Sequence, residues 1–203
     1  MTNAPPSGGG RPSAVQPQVK LERRVSPFFA TIFYGFFGAA AWIWLSAGMK
    51  VDAAALWIPT HPVRDVAVGL GVAALFIVVT QVLVRRSEAA RALEREFGWI
   101  LGEQRPAEIV YLALLSGAAE EFLFRGALNR AAGPVVATAL FAVVHWPVNW
   151  SFRLWPFLAL AAGTAMTLET MWTGSLVAAA VTHAAINGVN LFRIAGKYRV
   201  WKE

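Results

Sequence analysis

The sequence predicts an all-α, polytopic membrane bundle of about six transmembrane helices plus one interfacial amphipathic helix. Three observations predict it. The 203 residues are 57% hydrophobic and only 15% charged, where a soluble domain carries about 25% charged residues. Several runs are too long and too apolar for a soluble core. Once the spans are drawn, lysine and arginine segregate to one side of the bundle.

Residues 1–20, "MTNAPPSGGGRPSAVQPQVK", are rich in Pro, Gly, Ser and Gln and are expected to form a disordered cytoplasmic tail. Residues 21–203 then make a single membrane domain. Its spans are expected near 27–48, 65–84, 106–129, 134–150, 154–172 and 174–193. Between the second and third lies "RRSEAARALEREFGWILGEQR". Here Leu93, Phe97, Ile100 and Leu101 share one helical face opposite Arg91, Glu94 and Arg95, the pattern of a helix lying at the interface.

With a cytoplasmic N-terminus, fourteen basic residues fall inside, Lys50, Arg64 and Arg130 fall outside, and Arg125 is embedded. Both termini are then cytoplasmic. A chain with 14 Arg against 4 Lys fits a GC-rich bacterial genome, and so an inner, cytoplasmic membrane. The net charge of +6 is topological, and no nucleic-acid partner is expected. The absence of cysteine excludes disulfides, thiolate-bound metals and thiol nucleophiles.

The stretch "AAEEFLFRGAL", Ala118 to Leu128, sets Glu120, Glu121 and Arg125 inside the third span. Burying one such charge costs at least about 2.5–3.5 kcal/mol. The fourth span holds "FAVVH", Phe141 to His145, and the sixth holds "HAAIN", His183 to Asn187. At about 1.5 Å per residue, Glu120, His145 and His183 all fall roughly 14–20 Å below their helix ends. Ionisable groups at one depth point to a shared site.

Helical phase divides their work. Glu121 and Arg125 are spaced i,i+4 with the acid first, the favourable order for an ion pair. Glu120 is rotated about 100° away and lacks that partner. It reads as the free carboxylate and general base, with Glu121 and Arg125 as its support. Glu120 with His145 would activate a water, while His183 and Asn187 would hydrogen-bond the developing oxyanion. Ser116, Ser175 and Thr182 lie in no nucleophile-elbow pattern and read as packing residues. No metal is the expectation; if zinc is bound, its ligands would be Glu120, His145 and His183. Glu169, late in the fifth span, reads as a solvated acid near the outer interface. A proton or ion carrier would use the same layer of residues, but no inverted repeat is evident.

The motifs "EEFLFRG", "FAVVH", "TGSL" and "HAAIN" occur in that order. They resemble the EExxxR, FxxxH and HxxxN signatures of the CAAX-protease and bacteriocin-processing (CPBP) family of intramembrane endopeptidases. The resemblance covers about residues 106–193. It implies Glu120 and His145 as water activators, His183 and Asn187 as oxyanion stabilisers, and Glu121, Arg125 and Phe141 as supporting positions. It implies a membrane-embedded or membrane-anchored protein or peptide as substrate. In a bacterial setting the expectation is removal of a C-terminal sorting tag, of the myxosortase-like or rhombosortase-like kind. The alternatives are a CAAX-type prenyl-protein or peptide-precursor protease, and a non-catalytic immunity or binding protein on the same scaffold.

Overall fold

Helix starts follow proline. Pro27, Pro62, Pro106 and Pro134 each open a helix, where the fixed φ suits the first turn and the missing N–H costs nothing. In the computed structural model, which describes residues 25–146 and 149–198, seven helices follow in order. They are α1 (Pro27–Ile43, running on as a π-helical turn Trp44–Gly48), α2 (Pro62–Arg86) and α3 (Glu88–Leu101). Then come α4 (Pro106–Glu121), α5 (Pro134–Val144), α6 (Trp155–Thr173) and α7 (Val177–Lys197). Helix α4 continues through a π-helical segment, Phe122–Leu128, into Asn129–Ala132. Every regular element among the described residues is helical, and the protein is a helical membrane bundle. The expected tail, residues 1–20, lies outside the described residues.

Among the described residues, α1 and α2 are long and apolar enough to cross a membrane, and only 17% and 11% of their apolar stretches are buried inside the bundle. A core helix of a soluble protein would be mostly covered. Instead Phe29, Phe33 and Phe36 of α1, and Leu75, Val78 and Val82 of α2, face outward, as lipid-facing side chains do.

Helix α7 packs most extensively against α2 and α4, and small residues allow it. A Cβ on Gly69 would stand 2.6 Å from the Ala178 carbonyl, and one on Gly117 3.0 Å from the Ala184 nitrogen. Close backbone approach of this kind is how helices associate where lipid offers no hydrophobic drive. Gly174, at φ 76°, ends α6 in the left-handed region and turns the chain into α7.

Four expectations need correction. The fourth span was expected over 134–150, but α5 has eleven residues, about 16 Å of rise and roughly half a bilayer. His145 is therefore the residue that caps the helix, not one inside it. Glu94 was expected on the polar face of α3, yet it is buried, because Lys197 and Arg193 from the end of α7 pair with it on the inner side. Ile100, expected on the apolar face, is exposed. On the outer face Arg95 and Arg91 bond Glu88 and hold its carboxyl below the usual range. Glu169 is also buried, 5% exposed. Its two carboxylate oxygens lie 2.7 and 2.9 Å from the Thr182 hydroxyl, which also reaches the Gly69 carbonyl at 3.0 Å. That hydroxyl thus joins α2, α6 and α7.

Candidate active site

The site assembles where α4 changes its winding. Glu120 and Glu121 end the α-helical part of α4, and the π-helical segment begins at Phe122. Such π segments recur at functional sites because they re-aim side chains within a continuous helix.

Arg125 is 1% exposed and Glu121 is fully buried. The guanidinium donates through Nη1 to Glu121 Oε1 at 2.9 Å, and through Nη2 to the Gly163 carbonyl at 2.9 Å. Its Nε donates to the Thr167 hydroxyl at 3.4 Å, and that hydroxyl also bonds Thr138 at 2.9 Å. The same guanidinium stacks 4.3 Å over the Phe141 ring. Helices α4, α5 and α6 are thereby fastened to one cation.

Gly163 makes room for it. A Cβ there would meet Phe141 Cδ1 at 2.9 Å and Arg125 Nη2 at 3.0 Å. Gly163→Ala should therefore cost about 1–3 kcal/mol by overpacking. A clearly lowered thermal midpoint in detergent is the expected reading; a midpoint equal to wild type would show that the cradle is slack.

Glu121 does more than pair with arginine. The same Oε1 accepts a hydrogen bond of 2.7 Å from His183 Nδ1 on α7. His145 is oriented from behind as well, its Nδ1 donating to the Phe141 carbonyl at 2.6 Å. Its ring packs between Phe141, at 4.5 Å, and Trp155, at 5.0 Å. With both Nδ1 atoms engaged, each imidazole turns Nε2 toward Glu120. His145 Nε2 stands 3.9 Å, and His183 Nε2 4.0 Å, from Glu120 Oε2. That oxygen is buried and has no hydrogen-bond partner among the described residues.

Asn187, one turn beyond His183, donates Nδ2 to the Ser116 hydroxyl at 3.0 Å. Glu120, Phe141, His145, His183 and Asn187 all line one cavity of about 400 Å³, a size typical of ligand sites. The hydroxyls weighed as nucleophiles are committed elsewhere. Ser116 bonds Asn187 and the Ala113 carbonyl, Ser175 donates to Asp65, and Thr182 bonds Glu169.

Residues 103–189 match the family model described as type II CAAX prenyl endopeptidase Rce1-like. The match covers less than half of the chain, and over those residues the chain is similar to this family. It is an intramembrane protease with a membrane-associated peptide or protein substrate. No curated protein and no solved structure matches the chain. The Rce1-like match takes in the whole Glu120, His145 and His183 cluster and leaves out α1, α2 and α3.

A zinc ion holds its ligands at about 2.0–2.2 Å, which sets neighbouring ligand atoms roughly 3.3 Å apart. The separations here, 3.9 and 4.0 Å, are wider. Among the described residues no group of three or more acidic, histidine or cysteine side chains is arranged to hold a metal ion. Glu120 and the two imidazoles thus stand wider apart than the ligands of a bound zinc ion.

Several residues escape a reading of the sequence. Gly163 and Thr167 cradle Arg125, and their i,i+4 spacing in "GTAMT" is the one signal that could have found them. The His183 bond to Glu121 crosses two helices and leaves no trace in local spacing.

Proposed function

We propose that this protein hydrolyses a peptide bond in or near a membrane-associated segment, using water activated by Glu120 with His145. The observation that supports this most is the buried, unpartnered Glu120 Oε2 set between two imidazole nitrogens at 3.9 and 4.0 Å. Those separations are too long for direct hydrogen bonds. They suit a water oxygen bonded to carboxylate and imidazole together.

Glu120 takes a proton from that water as its oxygen attacks the carbonyl carbon, and later passes a proton to the leaving nitrogen. His145, with its proton committed to the Phe141 carbonyl, offers Nε2 as the lone-pair face that orients the water. His183 in its imidazolium form keeps Nδ1–H on Glu121 and presents Nε2–H to the oxyanion. Asn187 uses one amide hydrogen on Ser116 and has a second for the same oxyanion. With His183 protonated, Glu120, Glu121, Arg125 and His183 carry two negative and two positive charges. The buried cluster is then neutral.

The proposed physiological role is removal of a C-terminal sorting tag from exported proteins. A short apolar helix entering laterally from lipid suits a cavity that runs from Glu120 past Ile194 of α7 to Leu93 and Phe97 of α3. A prenylated CAAX tail is the second reading, and the description of the matched family favours it. Comparing membrane proteomes with and without the gene separates the two. Exported proteins that keep their C-terminal helices support the sorting-tag role, whereas unprocessed prenylated tails, or uncut peptide precursors, would replace it. Exhaustive chelation of the purified protein should leave cleavage unchanged. Loss of activity restored by zinc would overturn the water mechanism in its metal-free form.

A further inference from the structure

Ser116 stands one turn before Glu120 on α4, and Asn187 one turn after His183 on α7. The close approach of Gly117 to Ala184 fixes how these helices cross, and the crossing brings Asn187 Nδ2 to 3.0 Å from the Ser116 hydroxyl oxygen. Ser116 is 5% exposed, and both residues line the cavity that holds Glu120. The Ser116 hydroxyl donates its own proton to the Ala113 carbonyl at 3.3 Å. Towards Asn187 it therefore presents lone pairs alone. Among the described residues Asn187 makes no other side-chain hydrogen bond.

A carboxamide has two ends of nearly the same shape and opposite polarity. Its last torsion is soft and broadly populated, so packing alone leaves either end free to face the scissile carbonyl. An N–H there stabilises the developing oxyanion, whereas a carbonyl oxygen repels it. An acceptor beside the group settles the choice, because only the NH₂ end can answer it. One amide hydrogen then goes to Ser116, and the second, held in the same plane, points away from it. We propose that Ser116 is a positioning residue for Asn187: its hydroxyl oxygen selects the amide end and aims the free N–H at the oxyanion. This rests on reading Asn187 as an oxyanion donor and names the residue that makes it one.

The test removes one oxygen, with Ser116→Ala, and compares two inhibitors built on a fluorescent peptide that the wild-type enzyme cuts. One is its trifluoromethyl ketone, whose hydrate copies the tetrahedral intermediate. The other is its ketomethylene isostere, which keeps the ground-state carbonyl and forms no hydrate. In Ser116→Ala, kcat for the peptide should fall about three- to tenfold with KM unchanged. Affinity for the trifluoromethyl ketone should fall by the same factor, while the isostere binds as it does to wild type. A merely structural loss would weaken both inhibitors alike. Asn187→Ala should cost about 10²–10³ in kcat, and the double variant should be no slower than Asn187→Ala alone. Equal weakening of the two inhibitors, or losses that add in the double variant, would overturn the proposal. If Asn187→Ala turns over as wild type, the oxyanion assignment fails first. If it is slow while Ser116→Ala matches wild type in kcat and in both affinities, only the role of Ser116 fails.

Discussion

Glu120→Gln is expected to lower the cleavage rate by about 10²–10⁴-fold, the usual contribution of a positioned general base. The substitution keeps volume and removes the proton acceptor. It should leave folding intact, because Glu120 Oε2 has no hydrogen-bond partner among the described residues and no guanidinium bonds this side chain as one bonds Glu121. The measurement is processing of the retained tails in cells, beside the thermal midpoint of the purified protein. Loss of cleavage at an unchanged midpoint is the expected pair of results. Wild-type cleavage would remove Glu120 from the mechanism.

Arg125→Ala should act on both quantities. The guanidinium is 1% exposed and bonds Glu121, the Gly163 carbonyl and Thr167. Removing it leaves a buried carboxylate with His183 as its one polar partner among the described residues, and breaking a buried pair from one side costs about 3–5 kcal/mol. Against a total stability of about 5–15 kcal/mol, that loss is large. The yield of monodisperse protein should fall, and activity with it, because Glu121 also orients the His183 ring. Arg125→Lys should not restore it, since an ammonium cannot span three acceptors in a fixed plane. A yield and midpoint matching wild type would show that the charge is dispensable.

The two glutamates show what could be read in the chain and what could not. Their division of labour follows from helical phase alone, because i,i+4 spacing puts Arg125 beside Glu121 and away from Glu120. The reach of Glu121 to His183 depends on how α4 and α7 cross, and that crossing is set by Gly117 against Ala184, a contact no periodicity encodes. Four of the seven helices open on a proline, Pro27, Pro62, Pro106 and Pro134. The end of α5 was not recognised, because Trp146 and Val148 keep the run apolar past the last helical turn. Pro147 was the available signal, since the residue before a proline avoids helical geometry. Glu94 and Glu169 were misjudged for one reason. A carboxylate on a polar helix face, or near a helix end, looks solvated until other helices supply the partners, here Lys197 with Arg193 for Glu94, and Thr182 for Glu169.

The central claim is that water, held by Glu120 and the imidazoles, attacks the scissile carbonyl directly. A single turnover in ¹⁸O-labelled water tests it. Direct attack puts ¹⁸O into the new carboxyl group of the product in the first turnover and leaves the Glu120 side chain unlabelled. A first-turnover product without ¹⁸O, with the label in the Glu120 carboxyl, would mean that glutamate attacked first through an anhydride, and would contradict this account.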